Sequence, residues 1–351
     1  MAAKKPKYKL LFIVGFPRSG TTWTMWLLGQ HPSAVVCFHS GFFHALKPVR
    51  EWWKDTGGHG KSVYTYAKND KNSKIDESKV KLNSILSLEE FYKHSRPLAG
   101  YVFDQMASCS PDTKVVVEKT PENLVFSEWI LKIFPDAYIL HVIRDPRSIF
   151  PSLRNAAYSW APIHELPVAP NPIEVAKGWM SYLERGRKLS QMTDRYKEVH
   201  YEALSKNGSA ELQEIYSWLN LPADQSFCDQ VVEAGTLDKL RKQKGLAPKG
   251  FFRKGSAEGW RDELSLSDKK VMEYIAGDLL DEMGYELTTD RLTHKPFRLR
   301  MYEGTSKIVQ KFARAPAYLS RRASKINPLN GRLNPNKQMQ VLKKTLIEMS
   351  K

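Results

Sequence analysis

The strongest chemical signal in the chain is GFPRSGTTW, residues 15–23. An apolar run, Leu10 to Val14, stops at Gly15, and an apolar-rich helical stretch opens with Trp23, Trp26, Leu27 and Leu28. Strand, glycine turn and helix start together hold an anion. Free backbone N–H groups converge at a helix N-terminus, and the helix dipole favours negative charge there. Gly15, four residues, Gly20 and Thr22 fit the triphosphate pattern G-x-x-x-x-G-K-[ST], but Thr21 stands where its lysine belongs. The cation sits instead at Arg18, inside the turn. A kinase or ATPase would lack its main phosphate-bridging charge. An ordinary strand–helix turn explains the glycines but not the arginine and the hydroxyl cluster.

Further chemical groups stand where strands end. Ala34 to Phe38 reads as a second buried strand, followed by His39, Ser40, Gly41, Phe42, Phe43 and His44. In open α/β sheets, ligands sit beyond the carboxyl ends of strands, so His39 is placed to reach them. Val115 to Glu118 is another buried strand, and Lys119 directly after it faces the anion loop. Ala137 to Ile143 is a further core strand ending in Arg144; Asp145 can cap the next helix, with Pro146 at its first position. Two helical rotations bring Ser152 back towards that strand end. Arg253-Lys254-Gly255 offers two cations and a close backbone approach, which suits a phosphate.

PRSGTTW, Pro17 to Trp23, resembles the 5′-phosphosulfate loop of sulfotransferases that use 3′-phosphoadenosine-5′-phosphosulfate. The cytosolic branch has lysine at the position of Arg18, whereas Golgi and bacterial members have arginine. The resemblance covers residues 9–287 and implies a three-layer α/β/α sandwich with a central parallel sheet, like the nucleotide kinases. It implies that Arg18, Ser19, Gly20, Thr21, Thr22 and Trp23 hold the phosphosulfate, and that Lys119 stabilises the departing group. Arg144 and Ser152 have the spacing of the family's 3′-phosphate site. Arg253, Lys254 and Gly255, with Trp260, resemble its R-K-G-x-x-x-x-W segment. Tyr201, in a V-x-Y-E-D-L-like strand, and Thr236 resemble its adenine contacts. Pro121 stands where the cytosolic branch has its catalytic histidine, so the base must come from elsewhere. Aligning Phe42-Phe43 with the Golgi-type K-E-x-x-F-F run puts His39 at that branch's glutamate. His39 is the expected base, with His44 and Glu118 behind it; an imidazole titrating near neutrality is chemically adequate. The implied product is adenosine 3′,5′-bisphosphate, and no metal is required.

The 351 residues suit one large domain or two small ones. The expected division is a catalytic domain over 1–290 and a basic tail over 291–351, with 45–110 as an insertion or lid on the acceptor side. The net charge of +16 is uneven: 291–351 holds 15 Lys/Arg against 2 Glu, which leaves only +3 for the rest and points away from a nucleic-acid-binding core. The tail suits attraction to an anionic membrane surface or acceptor. Equally, it suits a basic appendage that packs on the domain or mediates oligomers. Three scattered cysteines, no membrane-length apolar run and no signal core favour a cytoplasmic setting with peripheral membrane contact at most. The acceptor, a small molecule, lipid or glycan with a hydroxyl or amine, is not written in the sequence. The alternatives are a P-loop kinase or NTPase, and a non-catalytic nucleotide-binding module with a membrane-associating tail.

Overall fold

The structure, a computed structural model, describes residues 7–55, 88–159, 170–242, 251–252, 257–290 and 294–304. The chain divides into two units, Met1–His294 and Lys295–Lys351. In the second, residues 297–304 are helical and Lys295 pairs with Glu303 at 2.7 Å.

The first unit is an α/β sandwich. Its sheet comprises β1 (Lys9–Gly15), β2 (Ala34–Phe38), β3 (Val115–Lys119), β4 (Tyr138–Ile143) and β5 (Tyr196–His200), all parallel, in the order β2-β3-β1-β4-β5. The alternation along β1 explains the layers. Leu11 and Ile13 enter a core with Met25, Leu27 and Leu28 of helix α1 (Thr21–Leu28) and with Leu212 and Ile215. Leu10, Phe12 and Val14 enter a second core on the opposite face, with Phe43, Phe103, Trp129 and Ile130. A strand apolar at successive positions is the mark of a parallel sheet covered on both faces. The fold class expected from the sequence is the one observed.

Three local expectations are corrected. Ala34–Phe38 is the edge strand of the sheet and is not fully buried: Val36 and Phe38 are exposed. LEEFYKH, residues 88–94, reads from the sequence as a short helix; the helix runs the full Leu88–Ala107, α3 after α2 (Phe42–Asp55), and buries Phe91, Ala99 and Phe103 in the core. Residues 88–107 of the 45–110 stretch are therefore part of the helical layer; residues 56–87, including the Gly57–Gly60 and Lys68–Lys81 runs, lie outside the described residues. Tyr201 does not lie in a strand: β5 ends at His200, and Tyr201 opens a short helix, Tyr201–Lys206.

Among the described residues no helix is long and apolar enough to cross a membrane.

Candidate active site

The anion loop forms because two glycines permit close approach. A Cβ on Gly15 would meet the Val142 carbonyl oxygen at 2.5 Å. One on Gly20 would meet the Tyr201 ring at 2.4 Å, and Gly20 has φ 100°, a left-handed conformation that disfavours side chains. Arg18 shares that region at φ 72°, so the loop holds a non-glycine residue in a costly conformation. Gly20 caps α1 without a side-chain bond. The helical ladder starts with the Thr24 N–H donating to the Gly20 carbonyl at 3.0 Å, so the N–H groups of Thr21, Thr22 and Trp23 have no partner within the helix. Ser19 Oγ is buried with no hydrogen-bond partner among the described residues.

At the ends of β2 and β3, Glu118 joins two loops. Its Oε1 accepts from the Ser40 N–H (3.2 Å), Ser40 Oγ (2.8 Å) and Thr120 Oγ1 (2.6 Å), while Oε2 accepts from Asn123 Nδ2 (2.6 Å). Burial raises its pKa, and these donors oppose the shift. Lys119, the last residue of β3 and 1% exposed, pairs in register with Ile13, two residues before Gly15. Its ammonium lies 3.8 Å from the centre of the Phe38 ring. Burial, assisted by the charge of Arg18 and opposed by Glu122 and Glu118, brings its pKa down to about 7. His39 is adjacent: its backbone N–H donates to the Lys119 carbonyl at 3.1 Å. The exposed His39 ring has a pKa lowered to about 4, by desolvation first, then by Lys119 and His44. His44 is also exposed, its ring 5.0 Å from that of Phe126.

The opposite side of the loop is cationic and aromatic. Arg18 Nε donates to Ser152 Oγ (3.1 Å), its Nη2 donates to the Phe251 carbonyl (2.7 Å), and the guanidinium stacks 4.3 Å from the Phe251 ring. Arg144 lies over the Tyr201 ring at 4.0 Å and donates to the Arg18 carbonyl at 3.4 Å. Trp23 meets Tyr201 edge-on at 5.5 Å, and its Nε1–H donates to the Gly235 carbonyl (2.9 Å), next to Thr236. Thr236 in turn accepts from the Leu240 N–H at the start of the helix Leu237–Lys242.

A glycine loop with unclaimed donors, flanked by two arginines, a buried lysine and a histidine, is the setting in which an anionic group could be held and transferred. Comparison with known proteins agrees: the model of the Sulfotransferase family matches residues 11–225. The chain belongs to the sulfotransferase family. Among its relatives, nodulation protein NoeE of Sinorhizobium fredii is 25% identical over 301 residues, covering 79% of this chain and 66% of that protein. Omega-hydroxy-beta-dihydromenaquinone-9 sulfotransferase Stf3 of Mycobacterium tuberculosis is 26% identical over 193 residues, covering 53% of this chain and 44% of that protein. The chain thus spans just under two thirds of the first relative's length and under half of the second's. Among solved structures, mouse sulfotransferase SULT7A1 complexed with PAP aligns at a TM-score of 0.46 and 12% identity, over 79% of this chain and 84% of that one.

Within this sulfotransferase-family chain, the fold brings Arg18, Ser19, Gly20, Thr21, Thr22, Trp23, Arg144, Ser152 and Tyr201 around one loop, with Thr236 one residue beyond the Trp23 contact. Lys119 and His39 adjoin each other at the neighbouring strand ends. Arg253, Lys254 and Gly255 lie outside the described residues, as does His164. The Ser19 hydroxyl, buried and without a partner among the described residues, and the uncapped α1 suit an anion. Among the described residues, no group of three or more His, Cys, Asp or Glu is arranged to hold a metal ion.

Sequence reasoning missed three residues. Phe251 receives Arg18 on both its ring and its carbonyl. Phe38 covers the Lys119 ammonium. Arg147, three residues after Arg144, is fully buried against Asp145 and Glu273. For Arg147, an arginine in the first turn of the helix Pro146–Ser159, immediately after an Asp-Pro pair and before the apolar Ile149 and Phe150, was an available signal.

Proposed function

We propose that the protein is a sulfotransferase that moves a sulfuryl group from 3′-phosphoadenosine-5′-phosphosulfate to a hydroxyl or amine of an acceptor, by in-line displacement. The observation that carries this is the Gly15–Trp23 loop. It offers α1 backbone donors and an orphaned Ser19 hydroxyl in place of the lysine a triphosphate needs. The donor supplies an activated sulfur whose bond to the bridging phosphate oxygen breaks as the bond to the acceptor forms, leaving adenosine 3′,5′-bisphosphate.

The loop N–H groups, Ser19 and Arg18 hold the phosphosulfate, and Lys119 neutralises charge growing on the bridging oxygen. Arg144 and Ser152, with Arg253, Lys254 and Gly255, take the 3′-phosphate. Trp23, Tyr201 and Thr236 take the adenosine. His39 accepts the acceptor's proton. With its pKa near 4 the imidazole is neutral at pH 7 and able to accept, although a base so weak gives modest assistance. Glu118 is the poorer choice, because its oxygens already accept four hydrogen bonds. The acceptor is a small molecule, lipid or glycan; the basic residues beyond 290 favour one that is anionic or membrane-borne.

A thermal-shift panel tests the reading. Adenosine 3′,5′-bisphosphate is expected to stabilise the protein, by about 2.7 kcal/mol at a hundredfold excess over its dissociation constant, and ATP to do so far less. Preference for ATP would overturn the reading in favour of an NTPase. Stabilisation with no transfer of labelled sulfate to any acceptor in a screen would favour a binding module. His39→Ala is expected to lower turnover by about 10²-fold while bisphosphate binding stays nearly unchanged. With donor saturating, so that Lys119 stays charged, the wild-type rate should be level through neutrality and fall as the pH drops through about 4, where His39 takes up its proton. An unimpaired His39→Ala enzyme would remove the base assignment.

A further inference from the structure

The candidate active site gathers at the carboxyl ends of the strands. At their amino ends lies a separate cavity of about 580 Å³. Its cations come from three strand starts and a helix. Lys7 and Lys9 sit at the start of β1, Lys114 before β3, Arg195 before β5, and Arg96 on α3. The lining holds one carboxylate, Asp136, and Arg195 is paired with it at 3.0 Å. Lys9 is also engaged, donating to the Leu219 carbonyl at 2.7 Å, where the helix Gly208–Trp218 ends. Lys7, Arg96 and Lys114 are exposed at the rim, and among the described residues none of them forms an ion pair. Between these charges the wall is apolar and aromatic, from Leu10, Phe134, Ala137 and Tyr138. The Tyr138 ring has Lys9 at 5.5 Å and Arg195 at 5.9 Å from its centre.

Surface cations usually spread out and pair with carboxylates. Here three unpaired ones ring an apolar hollow in a domain whose net charge is small. The volume is that of a small-ligand pocket, and low-dielectric walls focus the field of the rim.

We propose that this cavity binds a small amphiphile carrying one sulfate, phosphate or carboxylate head on an apolar body. The head meets Arg96, Lys114 and Lys7; the body lies along Tyr138 and Phe134. The site is independent of the donor loop, and its occupancy does not depend on the proposed sulfuryl transfer.

Calorimetric titration of the full chain tests this, using octyl sulfate and octyl phosphate below their micellar concentrations, with octanol and inorganic sulfate as partial ligands. Both anionic amphiphiles are expected to bind with one-to-one stoichiometry, and octanol and inorganic sulfate at least about tenfold more weakly. Arg96→Glu/Lys114→Glu, two exposed changes, is expected to weaken octyl sulfate at least about tenfold while leaving the circular dichroism spectrum unchanged. Saturating adenosine 3′,5′-bisphosphate should leave octyl sulfate binding intact. Equal binding by the double variant, equal binding of octanol, or displacement by the bisphosphate would each overturn the proposal. A protein that ignores the bisphosphate but binds octyl sulfate would refute the donor assignment and keep this one.

Discussion

Arg18→Ala is expected to cut sulfuryl-transfer turnover by about 10²–10³-fold, measured with labelled donor once an acceptor is in hand. Two losses combine. On the proposed assignment the guanidinium is the cation that substitutes for the P-loop lysine, and its removal takes one positive charge from the anion loop. The same group bridges Ser152 Oγ at 3.1 Å and the Phe251 carbonyl at 2.7 Å, so it also fastens the chain just before Arg253, Lys254 and Gly255 to the loop. Arg18→Lys separates the two. It returns a charge but lacks the planar fork that reaches both partners, so part of the turnover should come back while bisphosphate affinity stays reduced. Turnover of Arg18→Ala within about tenfold of wild type would remove Arg18 from the proposed catalytic set.

The second large effect falls on stability. Arg147 is 1% exposed; it pairs with Asp145 at 2.9 Å and Glu273 at 2.6 Å, and donates to the Glu286 carbonyl at 2.8 Å. Its guanidinium lies 3.9 Å from the centre of the Trp260 ring. Arg147→Ala leaves two buried carboxylates without their cation, and breaking such a pair costs about 3–5 kcal/mol. The urea midpoint should fall accordingly, with little change in slope. Arg147→Met preserves the stem's packing but not the charge and should recover only a small part. An unchanged midpoint in both variants would show the network to be dispensable. Because Asp145 follows Arg144 directly, loss of this anchor should also loosen the proposed 3′-phosphate contact.

The same contrast marks where sequence reasoning reached and where it stopped. Strand starts and ends around Gly15, Lys119 and Arg144 were legible because apolar runs terminate at glycine, lysine or arginine. The helices that the sequence places at about 173–193 and 225–233 are observed at Pro172–Ser190 and Gln225–Ala234, their starts set by Asn171 and Asp224 side chains that accept from the Glu174 and Phe227 N–H groups. The direction of a long side chain was not legible. Arg18 reads as a phosphosulfate ligand, yet it reaches Ser152 and Phe251, 134 and 233 residues away, and only the assembled fold sets that path. The edge position of β2 was likewise hidden, since AVVCF is as apolar as a central strand. The amino-end cavity left no motif, because its cations belong to separate strand starts that become neighbours only when the sheet forms.

Lys119 has a consequence for how the site is readied. An ammonium with a pKa near 7 sits close to mid-titration in neutral solution, because burial disfavours its charge. The sign is that of a depressed lysine: the folded state bears the full cost of the charge below pH 7 and sheds it as the pH climbs from there towards the ordinary lysine value. A doubly ended anion arriving beside it pulls in the other direction. On the proposed assignment, donor binding at pH 8 should draw a proton from the buffer, seen as a binding heat that varies with the buffer's ionisation enthalpy and vanishes in Lys119→Met. Lys119 would then be an acid loaded by its own substrate: the resting protein keeps the charge latent, and the arriving donor summons it.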